Sequence, residues 1–244
     1  DEHGDIEFRK MISKMLNHQR GMQIQENEIS ITRGSQMGMF LTAQSLLTSG
    51  DGVIVENPGY QPAWQAFEYT GATLIPVSVD EEGIDIEAVE KRLIQHKNIK
   101  AIYITPHRQY PTTVTLSLSR RLKLIELSNK HNITIIEDDY DNEFHFGYRP
   151  ILPLSSFPEL NNYVYIGTLS KVVAPALRIG YLATKNQDLL KKIGNLRKII
   201  DVHGDVIMEQ AVLQLIKDGA VKKHIKKATV HYLSLIHISE PTRP

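Results

Sequence analysis

Four places in the sequence put reactive side chains directly after a run of apolar and β-branched residues. The groups that follow these runs are Gly34-Ser35-Gln36, Thr105-Pro106, Asp138-Asp139-Tyr140 and Thr168-Leu169-Ser170-Lys171, with Arg178 shortly after the last. In open parallel sheets, ligands bind at the carboxyl ends of the strands. The spacing therefore predicts that these groups meet at one site.

Each group suggests a definite chemistry. A helix that starts at Gly34-Ser35-Gln36 would offer amide N–H groups and a positive dipole end, which suit a phosphate. A plain turn and N-cap would give the same residue pattern. Thr168, Ser170 and Arg178 are suitable additional phosphate partners. No Gly-Lys-Ser/Thr loop is present, which argues against a nucleoside triphosphate.

Lys171 and the acidic run at 137–141 are each open to more than one interpretation. A lysine in a dry site loses its proton and forms a Schiff base, whereas the ordinary alternative is a solvated loop lysine. The acids are typical of a solvated turn, of a divalent-metal site, or of one buried carboxylate, Asp138, that keeps a ring nitrogen protonated. In the last case Tyr140 would donate to a phenolic oxygen of the same ring.

The elements that must position these groups alternate along the chain. Strands are predicted near residues 28–32, 53–56, 73–79, 101–105, 133–137, 163–168 and 178–184, and helices near 61–69, 86–96, 118–130, 188–200, 206–217 and 221–232. Alternating βα units predict an α/β fold: a mainly parallel sheet with helices on both faces, a three-layer αβα arrangement.

Composition narrows the possible functions. Lys plus Arg (28) balances Asp plus Glu (28), so no overall charge favours DNA or an anionic membrane as a partner. The absence of cysteine excludes disulfides and thiolate chemistry and fits a cytoplasmic location. No apolar run approaches the roughly 20 residues of a membrane-spanning helix. The ten histidines are dispersed, and no metal site is predicted from them.

Five motifs carry a family resemblance: Ile31-Thr-Arg-Gly-Ser-Gln36, Glu56-Asn-Pro-Gly-Tyr60, Thr105–Thr112, Glu137–Phe144 and Gly167–Tyr181. With these five motifs in this order, the chain resembles fold-type-I pyridoxal-phosphate (PLP) enzymes of the class I/II aminotransferase group. Within the group it resembles the aminotransferase-like domain of MocR-type regulators of the GntR superfamily. The resemblance runs from about Gly4 to Tyr232.

The resemblance implies a role for each matching residue. Lys171 would form the Schiff base with PLP, Asp138 would pair with the pyridinium nitrogen, Tyr140 would hydrogen-bond the phenolic oxygen, and Tyr60 would stack on the ring. Gly34, Ser35, Gln36, Ser170, Arg178 and Thr168 would hold the phosphate, Ser35 and Gln36 through backbone amides. The chain departs from the family pattern at His107-Arg108-Gln109, at Thr113 and at Ala176, which puts the roles of Gln109 and Tyr110 in question.

The resemblance also implies an organisation and a function. Residues 1–30 would be a helical lead-in and 31–232 the PLP-binding large domain, with the small C-terminal subdomain missing; 233–244 resemble translated sequencing-adaptor sequence, the alternative being a native strand and turn. The ligand would be an amino acid or amine, the full-length protein a homodimer, and DNA would bind only through a domain absent from this chain. The alternatives are a free-standing aminotransferase and a divalent-metal phosphotransfer domain built on Asp138 and Asp139.

Overall fold

The computed structural model describes residues 1–141, 151–170 and 175–239, with side chains for all of these except 175 and 232–239. The helices are α1 Ile6–Arg20, α2 Gly34–Leu46, α3 Gln61–Glu68, α4 Ile86–Gln95, α5 Leu118–His131, α6 Gln187–Ile200, α7 Val206–Lys217 and α8 Ala220–Ser239. The strands are β1 Ile29–Thr32, β2 Gly52–Asn57, β3 Thr73–Asp80, β4 Gly83–Ile84, β5 Ile99–Ile104, β6 Thr134–Asp139, β7 Tyr163–Thr168 and β8 Gly180–Ala183.

The strands form one sheet in the order β1-β8-β7-β6-β5-β2-β3-β4. The five strands from β7 to β3 are mutually parallel, whereas β8 runs antiparallel to both β7 and β1, and β4 antiparallel to β3. The chain extends outward from β2 to β3 in one direction and from β5 to β7 in the other. The boundary between β2 and β5 is therefore a topological switch point, where a crevice opens at the carboxyl ends of the strands.

Side chains of each central strand alternate between two hydrophobic cores. In β2, Val53 and Val55 belong to the core under α2, α3 and α6, whereas Ile54 belongs to the core under α1, α4, α5 and α7. The same alternation places Val164 and Tyr165 on opposite faces in β7. The predicted mainly parallel sheet covered by helices on both faces is confirmed.

Helix ends follow from local sequence. The side chains of Asp5, Asp85, Ser117, Asn186 and Asp205 each accept a hydrogen bond from a backbone N–H in the first turn of the helix that follows. Such N-caps explain why the predicted helix starts lie close to the observed ones. Among the described residues, no helix is long and apolar enough to cross a membrane.

The two chain ends join the same fold. α1, which falls in the predicted lead-in, packs Phe8, Ile12 and Leu16 into the core on its face of the sheet. α8 runs to Ser239 and so includes the first residues of the predicted tail. The proposed boundaries and the origin of the tail stay predictions.

Candidate functional site

A cavity of about 350 Å³ opens at the carboxyl edge of the sheet, beside the switch point. Its wall is formed by residues that lie at the ends of β6 and β7, follow β1, β2, β5, β6 or β7, or precede β8: Ser35, Tyr60, Thr105, Tyr110, Asp138, Tyr140, Thr168, Ser170 and Arg178. Its volume falls in the range of about 300–1,000 Å³ that is typical of small-molecule sites. Seven of the predicted site residues thus meet in one place.

One end of the cavity is built to hold an anion. A Cβ on Gly180 would lie 2.7 Å from the backbone N of Ser35, so only glycine lets β8 approach the first turn of α2 this closely. Gly34 has φ of +79°, and a Cβ there would lie 3.0 Å from Nη2 of Arg178. The guanidinium therefore lies beside the start of α2, where amide N–H groups and the helix dipole also favour negative charge.

Arg178 and Ser170 are held by the short connection between β7 and β8. Arg178 has φ of +49°, a left-handed backbone conformation that is uncommon outside glycine. The Ser170 hydroxyl lies 3.4 Å from the carbonyl oxygen of Ile179, and Thr168 Oγ1 accepts a hydrogen bond from the Ser170 backbone N at 3.1 Å. Lys171, which follows Ser170 in sequence, lies outside the described residues.

Asp138 supplies the buried negative charge of the cavity. Its side chain is 5 % exposed, and its Oδ2 accepts a hydrogen bond of 2.9 Å from the hydroxyl of Tyr103. Burial, together with the negative charge of Asp138, raises the pKa of Tyr103 well above its usual value, so the phenol keeps its proton and remains a donor. Tyr103 thereby fixes the orientation of the Asp138 carboxylate.

Asp139 points to the opposite face of the sheet. Its Oδ2 accepts a hydrogen bond of 2.6 Å from Tyr165 and lies 3.8 Å from Nε of Arg20. Successive residues of a strand face opposite sides, so Asp138 and Asp139 do not converge on one ion. Among the described residues, no group of three His, Asp or Glu side chains could hold a metal. The geometry therefore removes the basis for the metal phosphotransfer alternative.

Three tyrosines line the opening of the cavity. The rings of Tyr60 and Tyr110 pack edge to face with centroids 5.3 Å apart, and Tyr110 packs on Tyr140 in the same way at 6.3 Å. The Tyr140 hydroxyl donates to the carbonyl oxygen of Arg108 at 2.9 Å. Burial is the main reason that the pKa values of Tyr60 and Tyr140 are raised, which keeps both phenols protonated.

Gln36 differs from the other predicted residues. Its side chain faces away from the main cavity, donates to the carbonyl oxygen of Pro62 at 2.6 Å and lines a separate, more open cavity. The prediction assigned it a role through its backbone amide, which lies in the first turn of α2. That role stays a prediction.

The sequence did not single out Tyr103, and it gave Glu56 no role of its own, whereas Thr105 lay in one of the four predicted strand-end groups. Tyr103 lies opposite Ile136 in the register of β5 and β6, which brings its hydroxyl to Asp138 two residues further on. Strand alternation predicts that Tyr103 and Asp138 share a face once this register is known. The register depends on tertiary packing, so the sequence alone could not predict the hydrogen bond between Tyr103 and Asp138.

An anion cradle and a buried carboxylate in one crevice of a doubly wound sheet define a cofactor-binding α/β protein. The family model for aminotransferase class I and II matches residues 1–233, so the chain belongs to this family. Pyridoxal 5′-phosphate is the cofactor of the family. The residues present fit it, because the cradle offers cationic and amide donors for a phosphate and Asp138 offers an anion for a ring nitrogen.

Similar proteins include both enzymes and a regulator. Aromatic-amino-acid aminotransferase 1 of Thermococcus litoralis is 28 % identical over 233 residues, which cover 94 % of this chain and 56 % of that protein. The probable rhizopine catabolism regulatory protein MocR of Rhizobium meliloti is 25 % identical over 227 residues, 92 % of this chain and 44 % of that protein. The chain thus spans about half the length of these relatives.

A solved structure matches the fold closely. The kynurenine aminotransferase of Pyrococcus horikoshii, in complex with PMP, superposes with a TM-score of 0.90 at 28 % identity. The match covers all of this chain and 62 % of that one. The predicted fold-type-I PLP fold is confirmed.

Proposed function

We propose that this chain is the PLP-binding part of a protein that handles an amino acid or amine. Lys171 attaches the cofactor through a Schiff base. The observation that carries the proposal is the single cavity with an anion cradle at Ser35 and Arg178 and a buried carboxylate at Asp138. Lys171 follows directly after Ser170, a residue of the cavity wall.

The cradle residues are proposed to bind the phosphate. Arg178 supplies the positive charge, and the backbone N–H groups at Gly34, Ser35 and Gln36 supply donors at the helix start. The hydroxyls of Ser170 and Thr168 add donors from the β7 end. A phosphate held by this many fixed groups anchors the cofactor while the rest of its ring takes part in chemistry.

The opposite groups are proposed to bind the ring. Asp138, oriented by Tyr103, would keep the pyridine nitrogen protonated, and Tyr60 would stack on the ring. Tyr140 would turn its hydroxyl from the carbonyl oxygen of Arg108 to donate to the phenolic oxygen. When bound, PLP accepts electron density from the amine substrate, which eases removal of a proton from the neighbouring carbon. Lys171, which follows Ser170 in the sequence, would move that proton as general acid and base.

Within this class, we propose the effector part of a MocR-type regulator, since the Rhizobium protein with that name aligns over 92 % of this chain. DNA would then bind through a segment outside it. The free-standing aminotransferase is the second candidate, supported by the Thermococcus and Pyrococcus enzymes. A homodimeric, cytoplasmic full-length protein belongs to the same proposal.

Visible absorption tests the proposal. Purified protein mixed with PLP should show the absorption band of a Schiff base, and Lys171→Ala should lack it. Identical spectra for the two proteins would contradict the assignment of Lys171. Adding amino acids to the loaded protein then separates the two candidates, because a transferase releases a keto acid whereas a sensor changes its spectrum without product.

A further inference from the structure

A buried carboxylate lies just behind the cavity wall. Glu56, near the end of β2, is 3 % exposed. Its Oε2 accepts hydrogen bonds from the backbone N of Thr105 at 3.0 Å and from Thr105 Oγ1 at 2.7 Å. The same Oγ1 accepts a hydrogen bond of 3.0 Å from the backbone N of Tyr110. Glu56 is therefore connected to Tyr110 through a single side chain.

Gln109 makes a second connection between the same two turns. It is 1 % exposed, and its Nε2 lies 3.5 Å from Glu56 Oε2. The same nitrogen donates to the carbonyl oxygens of Pro58 at 2.8 Å and Tyr110 at 2.6 Å. The turn that leads from Glu56 to Tyr60 is thus tied to the turn from Thr105 to Tyr110 by buried hydrogen bonds.

We propose that Glu56 is a positioning residue for the cofactor: it braces the turn that carries Tyr60 against the turn that carries Tyr110. The two rings lie 5.3 Å apart and both line the cavity, so a shift of either turn changes the space offered to a ring ligand. The inference rests on the proposed function, since it concerns the same cavity. Gln109, which follows the two residues His107 and Arg108 that depart from the family pattern, belongs to the brace.

Glu137 provides a matched control for burial alone. It is 1 % exposed and accepts hydrogen bonds from the backbone N of Leu154 at 2.8 Å and of Ser155 at 2.9 Å. Glu137 directly precedes Asp138 in β6, so its side chain lies on the opposite face of the sheet. Removing Glu137 therefore disturbs a buried carboxylate of the same kind without touching either turn.

The single tryptophan reports on the braced turn without any cofactor. A Cβ on Gly59 would lie 2.9 Å from Cζ2 of Trp64 and 2.3 Å from the carbonyl oxygen of Glu56, so the indole packs against this turn. Trp64 is the only tryptophan in the sequence. Its emission in the cofactor-free protein therefore follows the position of the turn.

The test measures PLP affinity and Trp64 emission for wild type, Glu56→Ala, Glu56→Gln and Glu137→Ala. Glu56→Ala should weaken PLP binding by about tenfold or more and shift the emission, because buried donors at Thr105 lose their acceptor. Glu56→Gln should bind PLP like wild type: burial raises the pKa of Glu56 to about 7, so a neutral amide resembles its protonated form. Glu137→Ala should lower only the free energy of unfolding.

If Glu56→Ala does not fold, Gln109→Met replaces it. This variant keeps the volume and removes the donors to Pro58 and Tyr110 together with the acceptor for Thr112, and it should weaken PLP binding in the same direction. Wild-type PLP affinity in folded Glu56→Ala or Gln109→Met, or an equal loss of affinity in Glu137→Ala, overturns the brace. A failure of the proposed function looks different. Wild type and Lys171→Ala would then interact with PLP alike, and an emission shift in Glu56→Ala but not in Glu137→Ala would still support the brace.

Discussion

Replacing Glu56 by glutamine should make the stability of the fold less sensitive to a rise in pH from acidic to neutral values. Burial raises the pKa of this carboxyl from 4.5 to about 7, against the hydrogen bonds from Thr105 that lower it, and the nearby Asp138 adds to the increase. Between these two pH values the folded protein keeps a proton that the unfolded chain has already lost. The free energy of unfolding therefore falls as the pH rises from 4.5 through 7.

The magnitude follows from the two pKa values. At 1.36 kcal/mol per pKa unit, the raised pKa of Glu56 lowers the free energy of unfolding by about 3 kcal/mol at pH 8 but by about 1 kcal/mol at pH 5. Both values are relative to a pH at which the folded and the unfolded chain are fully protonated at this residue. The glutamine variant would carry no such cost, since an amide does not ionise. Relative to wild type, Glu56→Gln should therefore gain about 2 kcal/mol in free energy of unfolding between pH 5 and pH 8.

Urea unfolding followed by Trp64 fluorescence measures this difference at both pH values. Glu159→Gln, at an exposed carboxylate, is the control and should change little at either pH. If the difference in free energy of unfolding between Glu56→Gln and wild type were the same at pH 5 and pH 8, Glu56 would not be a buried acid with a raised pKa.

Three further substitutions, one of them with a matched control, test the cavity. Asp138→Asn should weaken PLP binding or abolish proton transfer from bound amines. Asp139→Asn, on the other face of the sheet, should leave the PLP absorption spectrum and proton transfer unchanged and lower only the free energy of unfolding. Absorption spectra and urea unfolding distinguish the two variants. Gly180→Ala should lose PLP affinity by about tenfold or more in a dialysis assay, because its Cβ would meet the first turn of α2 at 2.5–2.7 Å. Arg178→Gln should weaken PLP far more than pyridoxal lacking the phosphate, and an equal loss for both would exclude a phosphate contact.

Most of the fold could be predicted because its signals are local. The β-branched run of β3 and the capping residues Ser117 and Asn186 mark element ends directly in the sequence. The two-residue strand β4 could not be found this way, since Gly83-Ile84 forms a strand only by pairing with the end of β3. The order of the strands likewise depends on packing between distant segments.

The candidate site was predicted in part for a related reason. Ser35, Asp138 and Arg178 could be predicted as site residues because they lie at or beside strand ends in the sequence and within the family motifs. Glu56 and Tyr103 act through partners 49 and 35 residues away, and no local pattern records those contacts. Side-chain hydrogen bonds across strands become visible only when the register is known.

Borohydride trapping identifies the lysine that binds PLP. Protein incubated with PLP and reduced with sodium borohydride carries a stable phosphopyridoxyl group on the lysine that formed the Schiff base, and peptide mass spectrometry locates it. We expect one label, on Lys171, formed at low PLP concentration and absent from Lys171→Ala. A label spread over surface lysines, or equally abundant in the variant, would contradict it.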